Sequence, residues 1–327
     1  MSGHCLVAMR PESFKPHYLH RPEENFRETN CYSDLVIELL HSLHLNPIAC
    51  LGFTLAADFE GDQWTFGKPS HHDLQAMYGL RVEELSLYRP LIDQIVTQVE
   101  RGAIPLLEAD AYHLPDTAGI DYRTNHVKTT IGISAINTSA KTLHYFHNGT
   151  FSVLQGEDFE GVLQPLIALQ KGYLPPYCEI AKLNQLAHLN EQHLKILALQ
   201  SAKFHFQKRP DINPITLHQQ AMQVHQQMIV EGGLAAYHAY TFVALRQLGA
   251  AHQLGAHFLR WLEPDNRYLK DAIISFEAIS SHAKMLVLKL ARVANSGKLA
   301  DTNQVFDDMA NCWEMATQQL NTFFASK

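Results

Sequence analysis

The chain has 327 residues, of which 46% are apolar and 18% charged, and its formal net charge is −7. That length is enough for two domains with separate cores, and the composition is that of a globular protein. With no basic tract to neutralise a phosphate backbone, nucleic acid is excluded as the expected partner. The five cysteines, Cys5, Cys31, Cys50, Cys178 and Cys312, are widely spread and form no CxxC pair, which argues against a disulfide framework and a thiolate zinc site. The first thirty residues hold no apolar core of signal-peptide length, and no run of eighteen apolar residues occurs, so the expectation is a cytoplasmic protein with no membrane partner.

In chain order, Leu35, Val36, Leu39, Leu40 and Leu43 recur at helical spacing and predict an amphipathic helix capped by Thr29 or Asn30, with Cys31 in its first turn. Unpaired N–H groups there stabilise an anion by roughly 0.3–2 kcal/mol, about 1.5 pKa units at most. A thiol of pKa about 8.5 then stays only partly ionised at neutral pH, so a reactive Cys31 needs an imidazole in contact. Ile104 to Asp110 reads as a short buried strand, followed by a polar loop from Tyr112 to Asn125 containing Pro115 and Gly119. His126 comes next. Val127, Thr129, Ile131 and Ile133 alternate in a strand, Asn137 to Ala140 form a turn, and Leu143 to Phe146 pair back. On such a hairpin His126 and Asn148 fall at the same end of neighbouring strands. There the carboxamide accepts from imidazole Nδ1–H and leaves Nε2 for the thiol, the cysteine, histidine, carboxamide order of a papain-like site. A buried, inert cysteine is the plain alternative.

From about 155–160 onward helical periods dominate. The first runs from Gln155 to Gln170; a Pro175-Pro176 break precedes Leu183, Leu186, Leu189, Leu194 and Leu197; further helices are expected at about 215–230, 234–250, 251–262, 267–295 and 302–325. The organisation expected is therefore α+β: a papain-like catalytic domain over 1–157 and an all-α domain over 158–327. Glu231-Gly232-Gly233 reads as a helix boundary. His218 with His225, and His252 with His257, lack the i, i+4 spacing of paired ligands, and His71-His72-Asp73 lacks further ligands, so no metal is expected. Asn25 is a candidate oxyanion donor or a turn residue. Trp64, Phe66 and Tyr112 are candidate walls of an acyl pocket, or core aromatics. Arg27 and Arg123 flank the catalytic segments as candidates for phosphate or carboxylate, or as solvated arginines.

The stretches Asn30-Cys31-Tyr32-Ser33-Asp34, Leu51-Gly52-Phe53, Glu108 to Pro115 and Asn125-His126 resemble the bacterial family called domain of unknown function 1839, as do Leu245 to Gly249 and Phe258 to Leu262. More distantly, residues 25–150 resemble the N-terminal domain of the butirosin biosynthesis protein H family. The distant resemblance implies a papain-like fold that moves an acyl group from the phosphopantetheine arm of a carrier protein to an amine through a cysteine thioester. The closer one implies a gene beside carrier proteins and the synthetase-like ligases that load them with amino acids. Carried over residue by residue from the distant resemblance, Cys31 matches the nucleophile and His126 the base. Asn148 matches the third position, where the distant relatives tend to have an acid, and Asp110 is the other candidate. Implied partners are an acyl or aminoacyl carrier protein and a small-molecule acceptor, with no cofactor bound. A thiol hydrolase and a non-catalytic carrier-binding protein are the alternatives.

Overall fold

The computed structural model describes residues 4–5, 10–163 and 174–327. Two compact units divide them. The first combines the start of the chain to Tyr18 with Cys31–Pro47 and Ser70–Asn190; the second is Leu19–Asn30, Ile48–Pro69 and Glu191–Lys327. The units interleave, so the chain does not separate at 157/158.

The first unit is built on strands β1 (His4–Cys5), β2 (Arg81–Glu84), β3 (Ala103–Asp110), β4 (Lys128–Asn137), β5 (Thr142–His147), β6 (Thr150–Gln155) and β7 (Cys178–Lys182). Among the described residues they form one seven-stranded sheet of order β2-β7-β3-β4-β5-β6, with β1 beside β4, and every pairing is antiparallel. The expected strand over 104–110 and the hairpin after it are β3, β4 and β5. Strand β7 was not expected. Its five residues merge in sequence with the leucine period that follows, yet they pair between β2 and β3 and draw the first unit out to Asn190.

Helix α1 (Cys31–Ser42) covers one sheet face, with both Leu35 methyls 3.4 Å from where a Cβ on Gly132 would lie. Helices α2 (His71–Tyr78), α3 (Leu91–Glu100) and α4 (Gly156–Leu163) complete the unit. Ile95 and Val99 of α3 and Phe159 of α4 join Leu107, Ile131, Ile133 and Tyr145 in the core on the opposite sheet face. Helix α1 is not amphipathic in place: Ser33, Asp34 and Glu38 are as buried as its leucines. Both Glu38 carboxylate oxygens accept from the His17 N–H, at 2.9 and 3.2 Å, which makes burial of that charge tolerable. Of the helix expected over Gln155–Gln170, Gly156–Leu163 is seen as α4, and residues 164–170 lie outside the described residues.

The second unit contains α5 (Glu191–Gln207), α6 (Pro214–Thr241), a π-helical turn (Phe242–Arg246), α7 (Gln247–Leu262), α8 (Arg267–Ser296) and α9 (Asn303–Ala325). Gly233, at φ 61° and ψ −145°, kinks α6 where the boundary was expected. The break expected at 250/251 is absent, because α7 runs through it and the irregularity sits instead in the π turn. The helix Pro214–Leu262 is long and apolar enough to meet the minimum for a membrane span. It nevertheless carries a polar chain within the core. Trp64 Nε1–H donates to His218 Nδ1 at 3.0 Å, which places the His218 proton on Nε2, 2.6 Å from the Tyr240 hydroxyl; that hydroxyl lies 3.1 Å from His225 Nδ1. Burial pushes His218 down to about 3 and lowers His225 as well.

Candidate functional site

The thiol of Cys31 sits at the first position of α1, half-buried, with Sγ 3.7 Å from Thr130 Oγ1 on β4. Register then defines what surrounds it, since residues opposite one another on paired strands share a face. Thr130 lies opposite Glu108 on β3, and Glu108 N–H donates to the carbonyl of Tyr177. One row along, Gly132 and Glu179 both flank Leu106; in the other direction Lys128 flanks Asp110. The sheet face under the N-terminus of α1 is therefore polar, carrying Thr130, Glu108, Lys128, Asp110, Tyr177 and Glu179. Lys128 Nζ closes a 2.9 Å ion pair with Glu108.

At the head of the same strand stands His126. Its Nδ1 lies 2.6 Å from Asp110 Oδ2, while Asp110 Oδ1 accepts the Tyr112 N–H at 3.0 Å. A carboxylate only accepts, so in the neutral imidazole the proton sits on Nδ1 and Nε2 keeps its lone pair for an incoming proton. The ring stacks on Tyr112 at a centroid distance of 4.6 Å and an interplanar angle of 11°. Arg123 backs the same tyrosine from 5.6 Å and pairs with Asp158 at 2.6 Å. Tyr112 thus packs on the histidine, and Arg123 packs on Tyr112.

The structure brings Asp110 to His126, and not Asn148. Asn148 occupies the two-residue turn between His147 and Thr150 at φ 46°, a left-handed conformation that asparagine tolerates, and no hydrogen bond joins it to His126. The register decides the matter: the Ala111 N–H to Val127 carbonyl bond carries the β3–β4 ladder up to His126, on the side away from β5. Nor does any hydrogen bond join Cys31 to His126. Thr130 is four residue steps along the chain from His126, roughly 13 Å if extended. His126 is 73% exposed. Asn25 is engaged elsewhere, its amide donating to Ser281 Oγ at 3.2 Å and Ser280 Oγ at 3.5 Å in the second unit. Trp64 and Phe66 also belong to the second unit, where they line a pocket of about 200 Å³.

Two side-chain networks escaped sequence reasoning. Glu179, almost wholly buried, accepts from Tyr32 at 2.8 Å and Tyr177 at 2.9 Å, and His71 Nε2 lies 3.4 Å away. Burial, then the neighbouring carboxylate, raises both tyrosines. The sequence signal was faint: Tyr32 beside the cysteine, and a glutamate at an inward position of a five-residue strand. On the other sheet face His147 Nδ1 lies 2.6 Å from Asp116 and its Nε2 2.8 Å from Thr129 Oγ1, all three buried; Tyr145 and Thr150 also donate to Asp116. Buried in this way, the triad pins a loop to the sheet.

The other described cysteines are less suited to attack. Burial pushes the Cys178 thiol up to about 12 and raises Cys312, and Cys50 is buried. Compared with known proteins, residues 15–183 match the model of the DUF1839 N-terminal domain and residues 191–322 that of the DUF1839 C-terminal domain. No curated protein matches the chain. The two matches cover both halves and divide where the sheet ends and α5 begins, and the chain belongs to the DUF1839 family.

Proposed function

We propose that the protein is a cysteine-dependent acyl or aminoacyl transferase with a papain-like first unit, acting on the phosphopantetheine thioester of a carrier protein. The observation that carries this reading is a half-buried thiol at the start of α1, laid over the strand whose head holds an imidazole oriented by a carboxylate. Helix-borne thiol and strand-borne histidine on an antiparallel sheet are the parts such chemistry uses.

In the proposed sequence the Cys31 proton passes to His126 Nε2 and the thiolate attacks the thioester carbonyl. The carbon–sulfur bond to the arm breaks, and the departing pantetheine sulfur takes the proton from His126. An amine or hydroxyl acceptor then attacks the Cys31 thioester and gives its proton to His126, which returns it to the Cys31 sulfur. Asp110 holds the imidazole in the required tautomer before it meets the thiol. The Cys31 N–H and the Thr130 hydroxyl are the oxyanion donors of this scheme, Thr130 standing where Asn25 was expected. Transfer demands that the imidazole leave its stack on Tyr112 and that the His126 segment or the start of α1 move toward the other, since roughly 13 Å of chain separates His126 from Thr130.

The exposure of His126 favours a second reading, in which water is the acceptor and the site is a thioesterase. Intact mass after brief incubation with an aminoacyl-loaded carrier tests both. Label on the natural sequence and none on Cys31→Ala establishes the thioester, and the released product, amide or free acid, separates transfer from hydrolysis. No label on either, with the carrier thioester intact, removes covalent transfer from that donor.

A further inference from the structure

In the second unit a pocket of about 320 Å³ is lined by the cations Arg27, Arg246 and Lys284, the carboxylates Glu24 and Glu28, and Pro22, Asn25 and Phe26. Its floor is fixed. The Phe26 N–H donates to Gln253 Oε1 at 3.0 Å and its carbonyl accepts from Gln253 Nε2 at 2.9 Å. Gly249 has no side chain because one would strike the Phe26 ring, its Cβ falling 2.1 Å from a ring carbon. The charges around this floor do not cancel locally. Glu24 turns to His257 at 3.1 Å and Glu28 meets Arg246 at 3.7 Å, while Arg27 and Lys284 have no carboxylate partner among the described residues. Lys284 Nζ instead stands 5.3 Å from the Phe26 ring centroid. Arg27, whose Nε donates to the His20 carbonyl at 3.4 Å, and Lys284 thus stand without a carboxylate partner, and Arg246 in a long ion pair, in one concavity where three cations face two carboxylates, in a chain whose net charge is −7. Their mutual repulsion is relieved by an anion with several acceptor oxygens.

We propose that this pocket binds a phosphate ester, with Arg27, Lys284 and Arg246 as its cationic ligands. Where the ester belongs to a carrier-linked phosphopantetheine arm, the assignment rests on the transferase reading; affinity for the ester itself does not.

The test is calorimetric titration of the full chain with 4′-phosphopantetheine and with pantetheine. The phosphorylated ligand should bind at least about tenfold tighter, the effect of a charge-assisted contact. R27Q/K284Q should bring the two to parity without altering the unfolding midpoint. Equal binding to the natural sequence, or discrimination that survives in the double variant, overturns the proposal. Tighter binding of holo than apo carrier protein assigns the ester to the arm; parity between these, with phosphopantetheine still preferred, assigns a free phosphate ester. Cys31 labelling by an aminoacyl N-acetylcysteamine thioester, which has no phosphate, is the independent check on transfer. Its failure beside intact phosphate discrimination sinks the transferase and spares the pocket.

Discussion

Asp110 uses one oxygen to fix a loop N–H and the other to fix the His126 tautomer, so its two bonds tie the loop and the histidine together. Asp110→Asn keeps the size and loses the obligatory acceptor. On the proposed mechanism Cys31 acylation should fall by about 10²–10⁴-fold in that variant. Asn148→Ala, which alters only a hairpin turn, should leave the rate unchanged; the reverse pattern in stopped-flow acylation would restore the carboxamide to the site. A second expectation concerns the thiol. His126→Ala should slow alkylation of Cys31 by iodoacetamide at pH 6, and equal rates would mean that the imidazole never reaches the sulfur. At this scale the cysteine, the histidine and both candidates for its partner were legible, because helix starts and strand heads are written locally. The choice between Asp110 and Asn148 was not, since it depends on which neighbour the β4 ladder extends along.

Among the elements, the β5–β6 hairpin and the loop before β4 are joined by Asp116. Burial alone would raise its carboxyl, but the His147, Tyr145 and Thr150 contacts outweigh it and hold the group below the usual carboxylate range. A depressed carboxyl contributes stability that is present above its unfolded pKa of about 3.9 and is lost as pH falls toward the folded value. Asp116→Asn should cost about 3–5 kcal/mol in urea unfolding at pH 7, the price of one buried partner left alone, and should flatten the acid limb below pH 4. Helix α2 offers a backbone counterpart. It ends at Gly79, φ 67°, where a Cβ would fall 1.9 Å from the Gln185 carbonyl oxygen. Gly79→Ala should therefore destabilise the first unit by about 1–3 kcal/mol from the dihedral alone, and by more once the clash is counted. Neither β7 nor β2 was legible, for strands of four or five residues show too little alternation to stand apart from their surroundings.

For the whole molecule, the neutral histidines of the helical unit set a pH limit. Burial holds His218 at about 3 and His252 at about 4, both below the unfolded value near 6.5. Their contribution is complete above pH 6.5 and declines as pH falls from there toward the folded values, by up to about 1.4 kcal/mol per pH unit for each group. Denaturant unfolding between pH 7 and 4 should show that slope, and His218→Phe should reduce it; a flat profile would contradict neutral burial. By itself the sequence determined the local grammar: the helix that starts at Cys31, the strand after His126, the long C-terminal helices and the kink at Gly233, all set by side-chain period and backbone propensity within a few residues. Tertiary structure alone decided where the units divide, that β7 enters the sheet beside β3, that Asp110 rather than Asn148 holds the histidine, and that Asn25, Trp64 and Phe66 belong to the helical unit. Those outcomes depend on register and packing between segments far apart in the chain, and no local period encodes them.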